Sequence, residues 1–209
     1  EVKVGPKTGA AIIVTDDTTP TIPDNANLSE VDKSAISSVI SKTEVDGVTE
    51  AIGDNKATLV GNAANGAEKV EVKVNVKVEV TGADLTSGSK TLTFTATPVA
   101  TITVTKAGSS TITNDVPVTN DMLNGQPITV KLPLPAGFTP KRIKHISSDG
   151  SVEYFLKTAK RGANTFEIKD GCAVFTITKF STFELSGTVT YVEPSYYSGS
   201  SSDPTYSVT

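Results

Sequence analysis

The stretch from residue 69 to 81 constrains this chain more than any other. Val70, Val72, Val74, Val76, Val78 and Val80 fill every even position, and Lys69, Glu71, Lys73, Asn75, Lys77, Glu79 and Thr81 fill every odd one. In a helix this pattern would scatter valine around the whole circumference. In an extended strand it puts all the valines on one face and all the polar groups on the other. The pattern therefore predicts a strand of roughly 35–40 Å, at ~3.3 Å per residue, with one buried face and one wet face.

Composition points the same way. The 209 residues include 31 Thr and 24 Val. Both branch at Cβ and fit a pleated surface better than a helix. Further alternation marks further strands. Leu92, Phe94 and Ala96 alternate with Thr91, Thr93 and Thr95, a run that Pro98 is expected to end. Ala100, Ile102 and Val104 alternate with Thr101, Thr103 and Thr105, and Ile128, Val130, Leu132 and Leu134 form another face. Residues 141–147 and 151–157 flank Ser148-Asp149-Gly150, a hairpin signal. Phe166 and Ile168 lead into Asp170-Gly171, a favoured two-residue turn, and Cys172–Thr178 returns from it. Phe180, Phe183 and Leu185 close the apolar set, and residues 188–191 read as a last edge strand.

The N-terminal third differs. Residues 1–14 read as extended, and the proline-bearing stretch 16–24 reads as a loop. Residues 29–41 read as a helix capped by Ser29, with Val31, Ala35 and Val39 on one stripe and Ile36 and Ile40 beside it. A second short helix is expected from Thr43, with Val45, Val48, Ala51 and Ile52 on its face and Gly53 at its end, followed by a loop over 61–66. The expected fold is thus mainly β: an antiparallel β-sandwich over 67–190, an extended and helical region with one or two short helices over 1–66, and a Ser/Gly/Pro-rich linker over 191–209.

Several chemistries are thin on residues. There is one Cys, one His and no Trp. One Cys closes no intrachain disulfide, and one Cys with one His builds no Cys/His zinc site. The longest apolar run, Ala10–Val14, is too short to span a bilayer. The chain starts at Glu1, so it reads as a piece of something longer. The net charge of −4 speaks against nucleic acid as a partner. It is unevenly spread: residues 1–67 carry −5 and residues 68–185 carry +3.

The segments Gln126–Phe138, with its Leu132-Pro133-Leu134-Pro135 ending, Lys144–Gly150 and Phe180-Ser181-Thr182-Phe183-Glu184-Leu185 together resemble β-sandwich modules of large Gram-positive cell-surface proteins of gut Firmicutes. The resemblance covers about residues 67–190. It implies a non-catalytic stalk or spacer, located outside the cell at its surface or wall, followed by a low-complexity spacer and an anchoring region. Its implied partners are other domains of the same surface protein. It brings no catalytic residues with it. The alternative function is an adhesin-type module that docks a host protein or glycan.

The residues themselves offer only weak candidate sites. Lys141, Arg142, Lys144, His145, Lys157, Lys160 and Arg161 form a basic cluster that reads first as the solvated rim of two hairpins, with contact to an anionic wall polymer, a glycan or an acidic partner as the alternative. No catalytic, metal-ligating or cofactor-binding residue is assigned. His145 reads as a strand histidine rather than a catalytic base, and Cys172 as a small core residue rather than a nucleophile. Asp16, Asp17, Asp24, Glu30 and Asp32 form an acidic stretch without the alternating ligands of a helix-loop-helix calcium site. Tyr191, Tyr196, Tyr197 and Tyr206 have faces for stacking on sugars, and Lys73, Asn75 and Lys77 raise the question of a Lys–Asn isopeptide crosslink.

Overall fold

The computed structural model describes residues 12–24, 26–157 and 164–187. Eleven strands join in one strongly curved sheet. They are β1 (Ile12–Thr21), β2 (Glu44–Asp46), β3 (Lys69–Asp84), β4 (Thr91–Lys106), β5 (Ser109–Pro117), β6 (Ile128–Pro133), β7 (Arg142–Ile146), β8 (Val152–Leu156), β9 (Asn164–Lys169), β10 (Cys172–Ile177) and β11 (Thr182–Ser186). The order is β1-β3-β4-β11-β7-β8-β9-β10-β6-β2, with β5 on the far part of β4. Three short helices, α1 (Glu30–Ile40), α2 (Val48–Ile52) and α3 (Lys56–Val60), lie between β1 and β3.

The sheet folds back on itself. Phe175 of β10 meets Phe183 of β11 and Phe155 of β8, with ring centroids 5.7 and 5.6 Å apart. One half therefore packs on the other, and the chain is mainly β and sandwich-like. The pairing is not antiparallel throughout. β1 lies parallel to β3 from Ile12 beside Val70 to Thr21 beside Glu79, and β8 touches β9 in parallel at two residue pairs. The β1–β3 pair follows from the helices between them, since a parallel return needs a crossover of at least a dozen residues.

The valine alternation lands as its period demands. All six even valines of β3 are buried, and the strand runs to 16 residues because it pairs with β4 along its full length. Pro98 does not end a strand: Thr91–Lys106 is one continuous strand of 16 residues. The Pro98 carbonyl accepts from the Val118 N–H. In an antiparallel strand N–H and C=O of one residue face the same edge, so the absent N–H of Pro98 faces away from β3. On that edge β11 pairs only up to Thr95 and β5 begins at Val99, so Pro98 sits where no ladder bond is required.

Four local readings change. The stretch 16–24, expected as a loop, is strand as far as Thr21, because it pairs with β3 from Asp16 beside Val74 to Thr21 beside Glu79. In α1 the buried face is Asp32, Ile36 and Ile40, whereas Val31 is 67% exposed. The Thr43–Gly53 segment is split: Val45 belongs to β2, Gly47 takes φ 102°, and only Val48–Ile52 is α-helical. Residues Gly61–Ala64 form a short 3-10 turn rather than a loop. Strand β5 is an addition that the sequence did not announce.

The 1–66 region supplies β1 and β2 to the sheet, and Ile36, Val48, Ile52 and Leu59 to the same apolar core as Val74, Phe94 and Phe183. The extended reading of residues 1–11, the edge strand at 188–191 and the linker at 191–209 lie outside the described residues.

Candidate binding surface

Strand alternation sorts the basic hairpin into two faces. Along β7, Ile143 and His145 point inward, and Arg142, Lys144 and Ile146 outward. Opposite them on β8, Phe155 pairs with Ile143, and Leu156, Tyr154 and Val152 pair with Arg142, Lys144 and Ile146. On the other side β11 sets Glu184 beside Lys144 and Ser186 beside Arg142. The outer face therefore carries Arg142, Lys144, Tyr154, Val152 and Glu184 side by side.

Within this face the Arg142 guanidinium lies over the Tyr154 ring, 5.1 Å from its centroid. Such a stack gives Arg142 a fixed planar fork and leaves Tyr154 42% exposed. Lys141 and Lys157 are exposed at the end of the same hairpin. Lys160 and Arg161 lie outside the described residues.

His145 does not belong to this surface. It is fully buried, its ring stacked on Phe183 at 4.3 Å, and its Nδ1 lies 3.2 Å from Glu153 Oε2. Burial holds its pKa below the usual histidine value; the hydrogen bond and charge of Glu153 pull upward but do not outweigh it. With the ring neutral, Nδ1–H donates to the Glu153 carboxylate, and Nε2 is enclosed with no partner among the described residues. No serine, cysteine or second acid stands in hydrogen-bond reach of the ring among the described residues. The signal was legible in Arg-Ile-Lys-His-Ile itself, where His145 shares the parity of Ile143.

A cleft of about 590 Å³ lies elsewhere, between the end of α1 and the β9–β10 turn. Lys42, Glu44, Lys131, Asp170 and Cys172 line it. Its charges are partly matched within the wall, where Lys131 Nζ stands 3.6 Å from Glu44 Oε2. The Cys172 thiol is buried and donates weakly to the Asp170 carbonyl at 3.7 Å.

The other candidates are dispersed. Asp16 binds Thr49 at the start of α2, Asp17 binds Lys73 at 2.7 Å, and the buried Asp32 accepts from the Leu85 N–H at 3.2 Å. Burial raises the Asp16 pKa, against the bonds from Thr49, while the Lys73 bond lowers that of Asp17. No group of three metal-ligating side chains forms among the described residues. Lys73 and Lys77 spend their ammonium groups on Asp17 and Asp115, and Asn75 stays between them on the same strand face. Tyr191, Tyr196, Tyr197 and Tyr206 lie outside the described residues.

No family model, curated protein or solved structure matches the chain.

Proposed function

We propose that this chain is a non-catalytic structural spacer of an extracellular surface protein, one that holds neighbouring domains apart and carries tension along its strands. One observation carries the reading. β1 begins at Ile12 beside Val70, and β11 ends at Ser186 beside Thr91, which pairs with Asp84. Among the described residues the chain thus enters the sheet at one end of β3 and leaves it at the other, about 45 Å apart at ~3.3 Å per residue.

The direction of the strands makes this separation mechanical. β3 is antiparallel to β4, and β4 to β11, so β1 and β11 run the same way. Pulling β1 by its start and β11 by its end loads the β1–β3, β3–β4 and β4–β11 ladders in shear. Many main-chain bonds must then yield together, rather than one after another as in unzipping. The resemblance of the Gln126–Phe138 and Phe180–Leu185 segments to Gram-positive stalk modules supports the same setting, at a cell surface or wall.

Single-molecule pulling tests it. Tandem copies pulled through their ends should rupture at several times the force needed when the same protein is pulled across the β4–β5 hairpin, between residues 98 and 117. Equal forces would end the spacer reading.

A second reading, docking of an anionic glycan or wall polymer, is favoured by the half-exposed Tyr154 under Arg142. Binding to an acidic polysaccharide panel that Tyr154→Ala and Arg142→Ala both abolish would support it over a purely structural role.

A further inference from the structure

We propose that the outer edge of β5 is a self-association strand, on which a second copy of this chain adds its own β5 antiparallel and extends the sheet across a two-fold axis.

Among the described residues the edge is open and carries no protecting charge, proline or cover along Ser109–Asn114. Among the described residues β5 pairs only with β4, and every residue from Ser109 to Asp115 is exposed. Even-numbered residues of β4 turn their main-chain groups toward β5, as the Pro98 carbonyl shows. Val104 and Ile102 pair with Thr111 and Thr113, so those two threonines bond inward. The N–H and C=O of Ser110 and Ile112 therefore face away from the sheet. Natural edges are usually protected by charge, proline or cover. Strand β1, the other flank of this part of the sheet, has Asp16, Asp17 and Pro20 and lies against α2 through Asp16 and Thr49. Ser109–Asn114 has no charged residue and no proline.

The strand is also complementary to itself. Antiparallel pairing centred on Ile112 sets Ile112 beside its own counterpart and Ser110 beside Asn114 of the copy, with no like charges opposed. The one acid of β5, Asp115, takes φ 53° at the register shift and is bound by Lys77 of the same chain. Ile112 is 61% exposed, on the face where Thr103, Glu71 and Ile13 continue its row across β4, β3 and β1. The pairing would cover this isoleucine and satisfy the outward main-chain groups in one step.

The inference stands apart from the spacer reading: a strict monomer would overturn it and leave the shear geometry untouched. Sedimentation of the wild-type chain should show a dimer fraction that rises with concentration. Ile112→Lys should be monomeric, with an unchanged circular dichroism spectrum and melting temperature. Ile112→Cys, treated with a short bismaleimide, should give a dimer joined at residue 112, since a hydrogen-bonded antiparallel pair brings Cα atoms to about 5.5 Å but holds the Cβ atoms too far apart for an unstrained direct disulfide. The buried Cys172 is the internal control. A chain that stays monomeric at millimolar concentration, a dimer that Ile112→Lys leaves intact, or an Ile112→Cys variant that forms no crosslink would each overturn the proposal.

Discussion

The imidazole of His145 lies flat on the ring of Phe183, with centroids 4.3 Å apart and planes 6° apart. Phe183 stacks in turn on Phe94 at 5.1 Å and meets Phe175 across the core. The only histidine of the chain is thus part of an aromatic column that joins β4, β11 and β7 to β10. Burial in that position favours the uncharged ring.

This sets a pH dependence. The folded pKa of His145 is lowered by burial, so the unfolded chain binds a proton more readily than the folded one. Stability should be full above the unfolded value near 6.5 and should fall as pH drops below it toward the folded pKa. Urea unfolding at pH 8 and pH 5 measures the difference. His145→Phe keeps the stack and removes the proton site and the unpartnered Nε2, so it should flatten the profile across this window. Glu153→Gln removes the carboxylate that pulls the pKa up, and should make the loss at low pH steeper. An unchanged slope in His145→Phe would show that another group controls it.

The two faces of β3 should respond differently to truncation. Val74 is fully buried, and Val74→Ala deletes apolar volume from a packed layer, at a cost of about 2 kcal/mol. Lys73 is half-exposed and paired only with an exposed Asp17. Lys73→Ala should change stability by less than about 1 kcal/mol. Denaturant midpoints at constant slope would separate the two, and equal losses would contradict the assigned faces.

How far the sequence went depended on whether a signal was local. Val70–Val80 declares its own geometry, because a period of two has one structural meaning. β5 declares nothing: Ser109–Pro117 shows no apolar alternation, with Ile112 alone among polar neighbours, and only its partner β4 makes it a strand. Pro98 looked like a terminus because the sequence does not say which edge lacks a partner there. The parallel seat of β1 on β3 joins residues more than fifty positions apart, and no local pattern encodes it. In the basic cluster, composition grouped His145 with its charged neighbours, whereas alternation along β7 separates it from Arg142 and Lys144. Arg142 over Tyr154 was hidden because it needs the β7–β8 register.

The β9–β10 turn has a strict backbone requirement. Asp170 takes φ 51° and Gly171 φ 75°, both in the left-handed region. Asp-Gly suits such a turn, and a β-branched residue does not. Asp170→Asn should be close to neutral. Gly171→Val should cost about 1–2 kcal/mol in strain. Thermal melts of the two variants would decide, and a tolerated valine would show that the turn relaxes to another type.

Helix α1 is tied to the end of β3 through the buried carboxylate of Asp32. Ser29 Oγ accepts from the Asp32 N–H at 3.1 Å, which caps the helix, and Asp32 Oδ1 accepts from the Leu85 N–H at 3.2 Å, just past the end of β3. The Asp32 side chain is buried, so its loss leaves a part-buried N–H without an acceptor. Asp32→Ala should cost about 1–3 kcal/mol, and Ser29→Ala about 1 kcal/mol. Asp32→Asn keeps an acceptor oxygen and should recover most of the loss. The two residues meet in one network, so the double variant should lose less than the sum of the singles. Hydrogen exchange at the Leu85 amide gives the specific readout: it should quicken in Asp32→Ala and stay protected in Ser29→Ala. Equal exchange in both would mean that the cap, and not the carboxylate, holds the helix to the strand.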